Sequence, residues 1–261
     1  VDVEHAAGWT GSEFRYTRLI SEATWYTQGR NRWVLGARLR GGWVSPRGFR
    51  GLGSEDSQGE IVHPEKRLFA GGANSVRGFA QNRLGPRVLY LEDVSALIGT
   101  PESPGPCTDV EVSDLSCDAN GLRDQEFFPS PTGGTKLLEG SVEFRFPVSG
   151  RYWEGATFLD FGQVWDQDGE LSLDGLEFTP GFGVRFFSPI GPIRIDLGYR
   201  FADGESLQVV TRKVQVNPDD PFAPTTLDDL VVLNQKVLWE EGLGGLDWRR
   251  FQLHLSIGQA F

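Results

Sequence analysis

The sequence predicts an all-β protein, an antiparallel transmembrane β-barrel of about eight strands. Three observations carry this. Apolar and polar residues alternate with a period of two in run after run, most plainly in Ile193-Arg-Ile-Asp-Leu-Gly-Tyr-Arg-Phe201. The connections between these runs are short on one side and long on the other, as in outer-membrane barrels with short periplasmic turns and longer extracellular loops. The composition, with 34 Gly, 18 Phe, 8 Trp and 5 Tyr, suits barrel strands with aromatic girdles at the membrane interfaces.

The strands follow in order at roughly 1–8, 12–27, 31–45, 133–149, 152–165, 176–189, 191–202 and 249–261. The second alternates poorly. In the third, Trp33, Leu35, Ala37 and Leu39 oppose Arg38 and Arg40, and Trp33 and Trp43 stand at the ends, where a membrane belt places them. In the fourth, Val142, Phe144 and Phe146 oppose Ser141, Glu143 and Arg145. In the fifth, Ala156, Phe158, Asp160 and Gly162 share one face, opposite Leu159 and Phe161. The sixth sets Phe182, Val184 and Phe186 against Gly183 and Arg185. The seventh sets Ile193, Ile195, Leu197, Tyr199 and Phe201 against Arg194, Asp196, Gly198 and Arg200. The last sets Phe251, Leu253, Leu255 and Ile257 against Gln252, His254, Ser256 and Gly258, and the chain ends on Phe261. A soluble sandwich would turn the apolar face inward and a membrane barrel turns it outward, so alternation alone does not separate them. The connections do. Gln28-Gly-Arg30, Ser149-Gly-Arg151 and Ser188-Pro-Ile-Gly-Pro192 are short, 166–175 is of medium length, and 46–132 and 203–248 are long. A sandwich has no reason to put every long loop at one end.

Composition narrows the function. The net charge of −11 argues against nucleic acid as a partner. No run approaches the roughly 20 apolar residues of a membrane helix, whereas a spanning strand needs only about 9–11 residues with one apolar face. The chain has no methionine and no signal peptide before Val1, and reads as a mature or excised piece of a longer product.

Few residues carry candidate chemistry. His5, His63 and His254 lie far apart, in no ligand spacing, so no metal or cofactor site is expected. Ser256 and His254 share a face but lack a third catalytic partner, so no enzyme is expected. Asp166-Gln-Asp-Gly-Glu170 has a fragment of a calcium-loop pattern and reads as a turn. Gly181-Phe-Gly183 lacks the third glycine of a nucleotide loop. The acidic pairs Asp219-Asp220, Asp228-Asp229 and Glu240-Glu241 read as solvated loop residues. Val231-Val-Leu233 and Val237-Leu-Trp239 fit either a short hairpin or a partner contact. Cys107 and Cys117 sit in a loop-like stretch with no nearby ligand, leaving a local disulfide, the better reading for a long loop, or two free thiols. The remaining feature is Arg67-Leu-Phe-Ala-Gly-Gly-Ala-Asn-Ser-Val-Arg-Gly-Phe79, where one cation, Arg77, stands between Val76 and Gly78-Phe79 in a glycine-rich turn. Such an arginine needs a partner, because an unpaired buried charge is very costly.

Val76-Arg77-Gly78-Phe79 resembles the loop tip of the BamA/TamA superfamily (bacterial surface antigen type), outer-membrane barrels that insert or translocate other proteins. Gly133-Gly-Thr-Lys-Leu-Leu-Glu-Gly-Ser-Val-Glu-Phe-Arg-Phe-Pro147 resembles the family's next strand. Phe158-Leu-Asp-Phe-Gly162 with Val164-Trp-Asp166, Ser188-Pro-Ile-Gly-Pro-Ile-Arg-Ile-Asp-Leu-Gly-Tyr199 and the closing Phe251-Gln-Leu-His-Leu-Ser-Ile-Gly-Gln-Ala-Phe261 resemble the strands that follow. Asp2-Val-Glu-His-Ala6 and Thr10-Gly-Ser12 resemble upstream strands, and Cys107 and Cys117 fall where BamA-type members carry a short-range cysteine pair.

The resemblance, nearest to the BamA branch, implies that residues 1–261 form the C-terminal half of a sixteen-strand barrel, with extracellular loops at 46–132 and 203–248. It implies that the Val76–Phe79 turn folds into the lumen and that Arg77 pairs with Asp160, beside Phe158 and Gly162. Parity agrees, since Leu159 and Phe161 facing lipid puts Asp160 inward, and Gly162 leaves room for a loop backbone. The implied location is the bacterial outer membrane. The implied role is protein assembly or insertion through a lateral seam, without a cofactor or chemical step; TamA-like or two-partner-secretion translocation, or a passive pore, are the alternatives. The implied partners are outer-membrane lipids, unfolded outer-membrane clients and accessory periplasmic lipoproteins.

Overall fold

A computed structural model describes residues 1–7, 9, 15–46, 62–122, 126–166, 169–189, 191–201, 205–217, 221–222, 224–239 and 248–258. Phe261, the segment Thr10–Ser12, part of the 166–170 turn and the pairs Asp219-Asp220 and Glu240-Glu241 lie outside the described residues. The strands in chain order are β1 (Asp2–Ala6), β2 (Tyr16–Gln28), β3 (Val34–Pro46), β4 (Arg87–Leu91), β5 (Phe127–Pro131), β6 (Lys136–Ser149), β7 (Trp153–Trp165), β8 (Glu177–Ser188), β9 (Gly191–Tyr199), β10 (Glu205–Gln215), β11 (Thr225–Trp239) and β12 (Phe251–Ile257). Two short helices, α1 (Ser95–Ile98) and α2 (Asp109–Ser113), lie between β4 and β5. No described helix is long and apolar enough to cross a membrane.

The chain divides into two compact units. The first comprises Val1–Pro86, Gly133–Phe201 and Gly244–Phe261. It holds one antiparallel sheet of eight strands in the order β1-β2-β3-β6-β7-β8-β9-β12. These are the eight runs predicted from alternation. β2, which alternates poorly, still pairs with β3 in unbroken register from Tyr16↔Pro46 to Gln28↔Val34. β1 and β12 are the two edges, so the sheet among the described residues is open.

One face of this sheet is apolar and exposed, the other charged and buried. Phe182 is 57% exposed, Ile195 50% and Leu255 73%, while Glu139, Glu143, Asp160, Arg185, Arg194 and Asp196 are all at 0%. A soluble sheet buries its apolar face, because removing apolar area from water is the main driving force of folding. The inverted arrangement needs an apolar medium outside, as a transmembrane barrel has.

The charged face is covered by the segment 62–86. A 3-10 turn at Pro64–Lys66 is held to the β1 edge by Lys66 Nζ, which donates to Glu4 Oε1 at 2.6 Å. Beyond it the chain crosses the inner face, with isolated bridges Leu68↔Gly134 and Ala70↔Leu84. Leu68, Ala70, Val76, Phe79 and Leu84 pack there with Val44, Leu137 and Val164. This small apolar cluster anchors both ends of the turn that carries Arg77.

The second unit comprises Arg87–Thr132 and Ala202–Leu243. The sequence predicts loop over these segments; they contain instead four strands in the order β11-β10-β4-β5. Two causes hid them. β10 meets β4 in a parallel pairing of only Val209↔Leu89 and Val210↔Tyr90, between residues far apart in sequence. β10 also pairs with β11 through two register shifts, at each of which β11 carries two extra residues, so which positions face each other cannot be read from either run. The unit has its own core, in which Leu89, Leu97, Val112, Leu207, Val209, Leu233 and Val237 are buried together. The Val231-Val-Leu233 and Val237-Leu-Trp239 runs are parts of the single strand β11. Cys107 and Cys117 form a disulfide beside α2, whose first turn is closed by a capping box of Thr108 and Glu111.

Candidate functional site

The antiparallel register sets the inward residues of β6, β7, β8, β9 and β12 in cross-strand rows. One row runs Arg38, Ser141, Asp160, Thr179. The next runs Glu143, Phe158, Gly181, Gly198, Gln252. A third runs Arg145, Ala156, Gly183, Asp196, His254. Small residues in the middle of the rows leave a depression, and the Ser75–Phe79 turn sits in it.

The turn begins at Gly71 and Gly72, whose φ angles of 100° and 112° lie where only glycine is at ease. It is closed by hydrogen bonds from Gly72 N to Phe79 O and from Phe79 N to Val76 O. Its approach to the sheet tolerates no side chain. A Cβ on Gly78 would lie 2.2 Å from Thr179 Cγ2, one on Gly198 would lie 2.4 Å from the Arg77 carbonyl oxygen, and one on Gly162 would lie 2.8 Å from Val76 Cγ2.

Arg77 is 1% exposed. Its Nε donates to Asp160 Oδ2 and its Nη2 to Asp160 Oδ1, both at 2.8 Å. Its backbone N–H donates to Asp160 Oδ2 at 2.9 Å. Nη1 donates to Glu143 Oε2 at 2.5 Å and lies 3.6 Å from Asp196 Oδ2, while Nη2 also reaches Ser141 Oγ at 3.2 Å. The guanidinium lies 3.4 Å from the centroid of the Phe158 ring, a cation–π contact in a desolvated place. Gly181 makes room for that ring, since a Cβ there would lie 2.2 Å from Phe158 Cζ. Burial alone would pull the Arg77 guanidinium below its ordinary value; the hydrogen bonds and charge of Asp160, with Glu143 and Asp196 behind it, hold it above.

The structure therefore brings Val76, Arg77, Gly78 and Phe79 together with Phe158, Asp160 and Gly162. It also adds residues that sequence reasoning did not assign to the site. Glu143 Oε1 accepts from Arg145 Nε at 2.6 Å and Oε2 from Arg185 Nη2 at 2.9 Å. Arg185 Nη1 donates to Asp196 Oδ1 at 2.7 Å, and Arg194 Nε lies 3.3 Å from Asp196 Oδ2. Arg38 Nη1 donates to the Asn74 carbonyl at 2.7 Å, and Ser75 Oγ donates to Glu139. Their signal was the inward parity of each strand; which of them lie at the depth of Arg77 is set by register. Leu253, Leu255 and Ile257 of β12 are exposed on the outer face, and Phe251 is half-buried. Cys107 and Cys117 belong to the second unit.

Ser256 Oγ accepts from Arg194 Nε at 2.9 Å and His254 Nε2 faces the Arg77 carbonyl. Among the described residues no group of His, Cys, Asp and Glu could hold a metal ion.

Over residues 1–261 the sequence matches the Omp85 superfamily domain. The chain belongs to the Omp85 superfamily. As an Omp85 barrel it is a protein of the bacterial outer membrane, consistent with the apolar outer face. Among solved structures it is similar to BamA from Haemophilus ducreyi lacking POTRA domains 1-3. The TM-score is 0.46 at 17% identity, covering 71% of this chain and 32% of that one, so the chain spans about a third of that structure's length.

Proposed function

We propose that this Omp85 chain is the barrel part of a factor that assembles or inserts proteins in the outer membrane, without an enzymatic step or a cofactor. The observation that carries the reading is the Val76–Phe79 turn seated on the charged inner face, with Arg77 held by Asp160. A turn in the interior opposes steady flow of solutes, which speaks against a passive pore. A fully desolvated ion network is a poor way to gain stability, since desolvation offsets most of the attraction, but breaking it in part is costly. It suits holding one loop in one position.

The last strand, β12, which pairs only with β9 among the described residues, supplies the second element of the reading. Exposed strand edges carry unpaired N–H and C=O groups and template pairing with another strand. An unfolded outer-membrane client pairing at such a lateral seam would enter the lipid with its backbone already bonded, which the hydrocarbon layer demands. Outer-membrane lipids and unfolded clients are then the partners, with accessory periplasmic lipoproteins outside the chain. The long connections 46–132 and 203–248 leave the strands on the extracellular side, because the short turns belong to the periplasmic one.

Reconstitution of the full-length protein in liposomes tests this. The expected result is faster folding of an added client barrel, lost with Arg77→Ala. Steady conductance in planar bilayers without any acceleration would establish a pore instead.

A further inference from the structure

The seated turn touches the edge strand itself. His254 of β12 projects inward opposite Asp196, and its Nε2 donates to the Arg77 carbonyl at 3.1 Å. Two residues on, Ser256 Oγ accepts from Arg194 Nε at 2.9 Å. The other end of the Arg194 guanidinium donates from Nη2 to the Ala73 carbonyl and to Asn74 Oδ1, both at 2.8 Å. Gly198, beside them on β9, has its Cα so close to the Arg77 carbonyl that no side chain fits between. Thus one end of the turn bonds β12 directly through His254, and the preceding residues reach it through Arg194. Among the described residues β12 is the last strand of this sheet and is bonded on one side only, by β9.

We infer that His254, with Arg194 and Ser256, is a clasp that couples the seated turn to the edge strand β12: the turn in place holds β12 against β9, and withdrawal of the turn loosens that edge. His254 is here a positioning residue for the edge, acting through the Arg77 carbonyl. The role of this coupling in client pairing rests on the insertion reading above; the coupling itself does not. Turn seating and edge strength are two sides of one equilibrium, so loosening either must loosen the other by the same factor.

The test uses the full-length protein in lipid vesicles without a client. Hydrogen exchange of the β12 amides reports the edge. Thiol labelling of Val76→Cys reports the turn, since Val76 is buried when seated and the chain's two native cysteines are bonded to each other. His254→Leu should speed β12 exchange and Val76→Cys labelling by the same factor, about two- to tenfold for one hydrogen bond. His254→Gln, which keeps a donor, should restore both. Gly78→Val, which drives the turn off its seat, should speed β12 exchange, and adding His254→Leu should then change little. Unchanged β12 exchange in both His254→Leu and Gly78→Val, or strictly additive effects, would overturn the clasp. If Gly78→Val fails to fold, the paired readouts of His254→Leu and His254→Gln decide alone. Coupled exchange in a protein that does not accelerate client folding would keep the clasp and sink the insertion reading.

Discussion

Arg77 meets Asp160 in a two-pronged pair, with Nε and Nη2 each 2.8 Å from a different carboxylate oxygen, and its own backbone N–H bonds the same carboxylate at 2.9 Å. Side chain and main chain of one loop residue thus address one carboxylate on β7. This defines the rotation of the turn as well as its depth, because the planar fork of arginine matches a carboxylate in one orientation.

The two halves of the pair should not be equal on mutation. Asp160→Ala leaves Arg77 with Glu143 and Asp196. Arg77→Ala leaves Asp160 buried with Ser141 as its remaining side-chain partner. Arg77→Ala should therefore cost more, about 3–5 kcal/mol, the range for stranding a buried charge. The double variant should cost well below the sum of the singles, measured as unfolding free energy in detergent. Arg77→Lys should recover little, because an ammonium cannot bond both oxygens at once. Equal and additive losses would remove the pair from the argument.

Gly78→Ala should unseat the turn without touching any charge. The new methyl would meet Thr179 Cγ2 at 2.2 Å and Cβ at 2.6 Å. Limited proteolysis of the 71–85 segment should become faster, and Thr179→Gly, which removes both atoms, should slow it again. Thr179→Gly leaving Gly78→Ala as accessible as before would show that the clash is not the cause.

Spin labels should separate the two faces of the sheet. Labels at Phe182, Ile195 and Leu253 should be relaxed by lipid-soluble oxygen and shielded from a water-soluble reagent. A label at Gln252 should show the reverse. Equal accessibility of the two sets would point to a soluble sheet.

Reduction of Cys107–Cys117 should act on the second unit alone. The bond closes a loop of sequence separation 10, for which chain-entropy arguments give a stabilisation of about 3 kcal/mol. Exchange of the amides in α2, β4 and β10 should rise in the Cys107→Ser/Cys117→Ser variant, while those of β6, β7 and β8 stay unchanged. A rise in β7 and β8 of the same size would contradict this.

By itself the sequence determined the elements that depend on neighbours along the chain. The alternation of Ile193–Phe201, Leu138–Phe146 and Gly181–Phe187 defines strands and two faces, since successive side chains must point to opposite sides. Gly71, Gly72 and Gly78 around Arg77 announce a tight turn with a charge in need of a partner. What alternation could not decide was which face is inside, because the same period serves a sandwich and a barrel; the buried Arg194 and Asp196 beside the exposed Ile195 decide it. Parity named the inward residues of each strand, but only register brought Glu143, Asp196, Arg185 and Arg194 to the depth of Arg77. The sheet of the second unit stayed hidden because its central parallel pair joins Leu89 to Val209 across nearly half of the chain, and two register shifts, with the extra residues on β11, interrupt the pairing of β11 with β10. The clasp of His254 on the Arg77 carbonyl was out of reach for the same reason. It is a contact between a side chain and a backbone oxygen 177 residues apart, and no local pattern of residues encodes which carbonyl a folded loop will turn toward it.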